Sequence, residues 1–146
     1  MQLQWTGNKG EGTATYRSYD RSYNIKIPGK PDFIGSSDPM FRGDRSMHNP
    51  EELLVMALSS CHLLSYLHCC ADNGIVVTEY IDDAAGIMVE DAARGGYFTE
   101  VTLNITMKIT DPSKKHMAME LHHKASSLCF IANSVNFPVK HKVHIE

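Results

Sequence analysis

One segment dictates more of this fold than any other: Asn49-Pro50-Glu51-Glu52, then an apolar run from Leu53 to Ala71, closed by Asn73-Gly74. Asn49 offers a side-chain acceptor to the free amides of a helix start, and Pro50 suits the first helical position. Glu52 completes an Asn-x-x-Glu capping box, and both glutamates face the positive end of the helix dipole. The spacing predicts a helix from residue 49 to about residue 72, roughly 35 Å long. Ser59, Ser60, His62, Ser65 and His68 interrupt the apolar run, and no aromatic or basic anchors flank it. A helix buried on most sides in a soluble protein is therefore expected, not a membrane span.

Strands are expected around this spine. Residues 13–19 and 21–27 alternate polar with bulky side chains, and Pro28-Gly29-Lys30-Pro31 ends that region. Residues 32–48, rich in Gly, Ser, Asp and Pro, read as a long ordered loop of the kind that is often functional. Residues 75–90 read as extended and Arg94-Gly95-Gly96 as a turn. From Phe98 to Thr110 the alternation is cleanest, with Val101, Leu103, Ile105, Met107 and Ile109 on one face. Asp111-Pro112 opens a second helix carrying Met117, Leu121, Ala125 and Leu128 toward Cys129. Val139, Val143 and Ile145 alternate with Lys140, Lys142 and His144 in a last strand. The expected class is α+β, in one domain over residues 1–146: N-terminal strands and loop over 1–48, a helix–sheet core over 49–146.

The chain has 146 residues and a formal charge of −3, enough length for a core and no basic footprint for nucleic acid. The first residues lack the basic and apolar regions of a signal peptide, so cytoplasmic residence is expected, where thiols stay reduced. The four cysteines then read as catalytic, metal-binding or buried, not as a disulfide framework. Cys61 lies midway along the apolar helix and Cys129 at the end of the second. Two thiols in apolar surroundings, with arginine and glutamate near in sequence, suggest redox chemistry on sulfur. The thiolate is the reactive form, and burial opposes it unless a cation or helix dipole compensates.

Each of these residues also has a plainer explanation. A buried helical cysteine is usually a small hydrophobe, and Cys69 and Cys70 are read that way. Glu51 and Glu52 are fully explained as N-terminal helix charges. Ten residues of helix separate Glu51 from Cys61 by roughly 15 Å and about 80° of rotation, so one helix cannot bring them together. If both serve one site, a second subunit must supply one of them, as in a two-fold dimer.

Asn49-Pro50-Glu51-Glu52-Leu53 followed by Ser60-Cys61-His62, with Ala125-Ser126-Ser127-Leu128-Cys129-Phe130-Ile131-Ala132-Asn133 downstream, resembles the OsmC/Ohr family. Those are osmotically inducible protein C and the organic hydroperoxide resistance proteins. The resemblance implies an intertwined α+β homodimer with two interface sites, acting as a thiol-dependent peroxidase on organic hydroperoxides in oxidative-stress defence. By position, Cys61 would be the peroxidatic nucleophile and Cys129 the resolving thiol. Glu51 would align the activating arginine, with Arg42 the first choice and Arg17 or Arg21 the alternatives. An external dithiol, typically a lipoyl group, would reduce the disulfide, and no cofactor, membrane or nucleic acid is implied. Phe130, where the family usually has proline, and His62, where an aromatic or apolar residue is common, depart from its pattern.

Two other classes compete. His62, His68, Cys69 and Cys70 on one helix, and His116, His122, His123 and Cys129 on another, are soft ligands for zinc or copper, but no paired Cys-x-x-Cys recurs. A dimeric binder of a small hydrophobic ligand, without turnover, is the third.

Overall fold

The computed structural model describes residues 1–93 and 95–146, so Arg94, placed by the sequence in a turn, lies outside the described residues. These form two compact units, Met1–Leu54 and Val55–Glu146.

In the first unit, β1 (Gln2–Trp5), β2 (Tyr23–Lys26) and β3 (Phe33–Gly35) make an antiparallel sheet in that order. β2 falls inside the predicted 21–27 strand. The strand predicted over 13–19 is a correction: residues 13–18 form turns and bends, and Tyr19 makes only an isolated bridge to Asn8. Ser18 Oγ donates to the carbonyls of Gly12 and Thr15, and the Thr15 amide donates back to Ser18 Oγ. Such local side-chain bonds outcompete a strand ladder. β2 pairs instead with β1, in a register running from Gln2↔Lys26 to Trp5↔Tyr23.

The predicted long loop contains β3 and a short 3-10 helix, Pro39–Phe41, capped by Asp38 Oδ1 accepting from the Met40 amide at 2.8 Å. The Ser36 amide donates to the His48 carbonyl at 3.0 Å, and Asn49 Nδ2 donates to Asp38 Oδ2 at 3.4 Å. The loop is thus tied to the start of α1 (Pro50–Asp72). That start is the predicted capping box: the Glu52 amide donates to Asn49 Oδ1 at 2.8 Å, and the Asn49 amide to Glu52 Oε2 at 3.3 Å. The helix stops where Gly74 turns left-handed at φ 63°, and the Ile75 amide returns to the Cys70 carbonyl at 2.9 Å.

The second unit is organised by β6 (Gly95–Ile109). Val101, Leu103, Ile105, Met107 and Ile109 are all buried, as their alternation predicts. β4 (Val77–Asp82) and β5 (Ala85–Asp91) pair antiparallel with β6, and β7 (Val139–Ile145) pairs parallel with it. Thr102 is flanked by Ala85 and Lys140, and Met107 by Tyr80 and Ile145, so β4 and β5 share one edge of β6 and β7 takes the other. A parallel neighbour requires a crossover. A 3-10 turn (Pro112–Lys114) and α2 (Lys115–Leu128) supply it.

The buried stripe of α2 is Ala118, Leu121, His122 and Ala125, an i, i+3, i+4, i+7 set. Of the residues grouped by the sequence, Leu121 and Ala125 are buried while Met117 and Leu128 are exposed, and His122 turns inward beside Leu121. The buried stripe of α1 is Leu58, His62, Tyr66, Cys69 and Cys70, while Met56, Leu64 and Leu67 face outward. With mean hydropathy 1.6 over its apolar window, α1 is long and apolar enough to cross a bilayer. Here it is a core helix against the sheet: Ser59 Oγ donates to Asp82 Oδ2 of β4 at 2.5 Å. At Gly86 of β5 a Cβ would collide with the Phe98 ring and press on Val55, so only glycine permits this approach.

Candidate active site

Cys61 and Cys129 come together although 67 residues intervene between them in the sequence. The first is carried by the middle of α1. The second is the first residue past α2, its amide bonded to the Ser126 carbonyl at 3.2 Å and its backbone extended at φ −72°, ψ 108°. The parallel placement of β7 forces α2 back across the sheet, and this brings its C-terminal end to α1. Both thiols are free, and Cys129 is buried where Cys61 is half-buried.

The two thiols shift each other in opposite directions. Burial pushes the Cys61 thiol up, but the neighbouring Cys129 thiol, the Ile131 and Phe130 amides and Ser65 together bring it below the usual cysteine range. Burial raises Cys129, and the neighbouring Cys61 raises it further, against the opposing Ala132 amide, 3.3 Å from its sulfur. Of the two, Cys61 is therefore the thiol that loses its proton more readily. Above them opens a mainly apolar cleft of about 440 Å³ lined by Ala57, Ser60, Leu64, Leu128, Phe130 and Ile131. Leu64 is 67% exposed and Phe130 81%, so the mouth is wide and greasy.

The other expected site residues lie in the first unit. Glu51 is half-buried, and its Oε2 is buried without a hydrogen-bond partner. Its charge, after burial, holds the Tyr23 hydroxyl above the usual tyrosine range. A carboxylate oxygen so placed accepts a donor readily. Arg42 closes the 3-10 turn in a left-handed conformation, φ 64°, unusual for a non-glycine residue. With Arg21, Asp20, Asp44 and Met47 it lines a cleft of about 340 Å³. Arg21 is occupied: its guanidinium donates to the Tyr19 and Tyr16 carbonyls at 2.6 and 2.7 Å and lies over both rings at 4.1 and 4.2 Å. Arg17 is exposed. Among the described residues no arginine forms an ion pair with a carboxylate.

Residues 43–144 match the family model described as OsmC-like protein. The chain belongs to that family. Its fold is also that of an OsmC-like protein of unknown function from Vibrio cholerae, 29% identical, with a TM-score of 0.86 over 98% of this chain and 96% of the other. An organic hydroperoxide resistance protein from Elizabethkingia anophelis shares the fold at 18% identity and TM-score 0.67, over 100% and 96% of the two chains. Another, from Bacillus subtilis, does so at 16% and 0.54, over 87% and 97%. Comparison with curated proteins gives no match. The OsmC-like fold is α+β, with two α-helices and two sheets among the described residues of this member.

The histidines and remaining cysteines are arranged differently from a ligand set. Among the described residues no group of three or more His, Cys, Asp or Glu is placed to hold a metal ion. His68 faces Asp72 at 3.5 Å, whereas His62 and His122 are buried together. Sequence reasoning missed four contributors. Ser65 stands one helical turn from Cys61, a spacing that could have flagged it. The Phe130 and Ile131 amides were invisible because backbone donors leave no residue signature. His141, in phase with Val139 and Val143, reaches the buried His62 ring at 4.2 Å between centroids.

Proposed function

We propose that this OsmC-like protein is a thiol-dependent hydroperoxide reductase for organic hydroperoxides, acting in the cytoplasm as a homodimer in oxidative-stress defence. The observation that carries this reading is the pairing of Cys61 with Cys129, Cys61 being the more readily ionised, at an open apolar cleft. Cys61 thiolate attacks the terminal peroxide oxygen, the O–O bond breaks, and the alkoxide takes a proton from water to leave as alcohol. Cys61 is left as sulfenic acid. Cys129 attacks that sulfur, its proton leaves with the hydroxide as water, and a disulfide forms. An external dithiol, of the lipoyl kind, restores both thiols by exchange. Leu64, Leu128 and Phe130 would receive the alkyl part of the peroxide.

Glu51 and Arg42 complete the proposal. An arginine held by the unpartnered Glu51 oxygen would fix Cys61 as thiolate and orient the peroxide, since guanidinium stays charged at any working pH. Arg42 is chosen over Arg21, whose donors are already taken. Helix geometry keeps Glu51 and Cys61 of one chain apart, which is why the reading includes a partner subunit. The test is hydroperoxide consumption with a dithiol reductant by wild type, Cys61→Ser and Arg42→Ala. Turnover lost in Cys61→Ser and strongly reduced in Arg42→Ala supports the reading. Equal, negligible turnover in all three refutes it and leaves the cleft as a hydrophobic-ligand site.

A further inference from the structure

Cys61 and His62 are consecutive on α1, so their side chains diverge by about 100°. Cys61 turns to the cleft and His62 to the interior. There His62 Nε2 lies 3.0 Å from Nδ1 of His122 on α2, and the two side chains are among the most buried polar groups of the chain, 1% and 3% exposed. One turn further along α1, the Tyr66 ring stacks on His122 at 3.7 Å between centroids, and its hydroxyl donates to the Ala118 carbonyl at 3.0 Å. His141 of β7 covers the other side of His62. Two directional bonds thus cross from α1 to α2 through a region otherwise filled by rings.

Stability alone does not account for this pair. The second nitrogens, His62 Nδ1 and His122 Nε2, are buried without protein partners, and such orphans cost stability that an apolar pair of similar volume avoids. Both rings are neutral near pH 7: burial, then the neighbouring histidines, pushes His62 down to about 3 and His122 to about 4. One ring therefore donates and the other accepts. Apolar contacts allow one helix to slip against another, whereas a hydrogen bond fixes both distance and angle. The element so fixed, α2, ends at Leu128, and the next residue is Cys129.

We infer that His62 and His122 are positioning residues for disulfide formation: their hydrogen bond holds α2 in the register that sets the Cys129 thiol against Cys61. This rests on the reading of Cys61 and Cys129 as the peroxidatic and resolving thiols. It predicts an unequal kinetic effect: the second step needs the Cys129 sulfur itself in bonding reach, whereas in the first step Cys61 keeps Ser65 of its own helix when α2 shifts.

Cumene hydroperoxide serves as oxidant, with Cys61 sulfenic acid trapped by dimedone and disulfide formation followed separately by rapid quench. His122→Leu should slow Cys61 oxidation, because Cys129, Phe130 and Ile131 move with α2, yet slow disulfide formation by at least about tenfold more, with more trapped sulfenic acid. His122→Asn places an acceptor oxygen where Nδ1 stood and should restore disulfide formation to within about threefold of wild type. The double variant His62→Phe/His122→Leu replaces both rings by somewhat larger apolar side chains and leaves neither histidine without its partner, so it carries the test if His122→Leu does not fold. It too should resolve slowly while melting no lower than wild type. Wild-type resolution rates in the apolar variants, or an Asn variant as slow as Leu, overturn the assignment. If wild-type Cys61 forms no sulfenic acid at all, the peroxidase reading falls and takes this inference with it.

Discussion

α1 carries cysteine at two levels, and the two environments differ in what they do to a thiol. At mid-helix, Cys61 is desolvated yet ends below the ordinary cysteine range, because four neighbouring groups lower it together. Two turns later, Cys70 is desolvated with Tyr66 as its one lowering neighbour, and Cys69 beside it raises it further, so it ends above that range. Burial acts in the same direction at both levels. The number of lowering neighbours reverses the outcome at one and not at the other. The residue type and the helix are shared, so the difference between the two thiols depends largely on what the next element brings across.

The largest test of that contrast is turnover itself. Cys61→Ser should lower hydroperoxide reduction by at least about a thousandfold, whereas Cys70→Ser should leave it within about threefold. Comparable losses in both would erase the distinction. Alkylation provides the next: iodoacetamide at pH 7 should modify Cys61 at least about tenfold faster than Cys69 or Cys70 in the folded protein, read by peptide mass analysis. The gap should close in denaturant.

The histidines behind Cys61 sharpen the comparison through pH. His62 and His122 have folded-state pKa values of about 3 and about 4, below the free value of about 6.5, so the unfolded chain binds protons more readily than the folded one in between. Their contribution is intact above pH 6.5 and is lost as pH falls toward 4. Each should cost up to about 1.4 kcal/mol per pH unit in that window. Denaturant midpoints measured from pH 7 to 4 should fall, and should fall less steeply in His62→Phe/His122→Leu. Smallest is Ser65→Ala, which removes one donor from Cys61. A single hydrogen bond of about 0.5–1.5 kcal/mol corresponds to a 2- to 10-fold slower alkylation at a fixed pH below the thiol pKa, with little change at high pH.

How far the sequence discloses this arrangement depends on the kind of signal. Capping chemistry is local, so Asn49, Pro50 and Glu52 specify the start of α1 and Gly74 its end. The alternation of β6 is strong because its whole face is buried. Residues 13–19 have the same period but no buried face to enforce it, and hydroxyl and guanidinium bonds to nearby carbonyls decide their path. α2 was legible as a helix, but its inward face was not, since pattern reasoning treats His122 as polar and cannot see the partner that makes its burial tolerable. Cys61 and Cys129 were legible as candidates through the family resemblance. The donors that distinguish Cys61 from Cys70 were not, for most of them are backbone amides or belong to a residue far along the chain.

The parallel pairing of β7 with β6 has a consequence for biosynthesis. Every strand that β6 needs on its first edge precedes it, but the second edge stays open until residues 139–145 have been translated. During that interval the emerging chain already displays Cys61, Cys69, Cys70 and then Cys129 without the strand that contributes His141. Premature oxidation or mispairing on the ribosome is therefore a hazard written into the topology, and it lasts until residues 139–145 pair with β6.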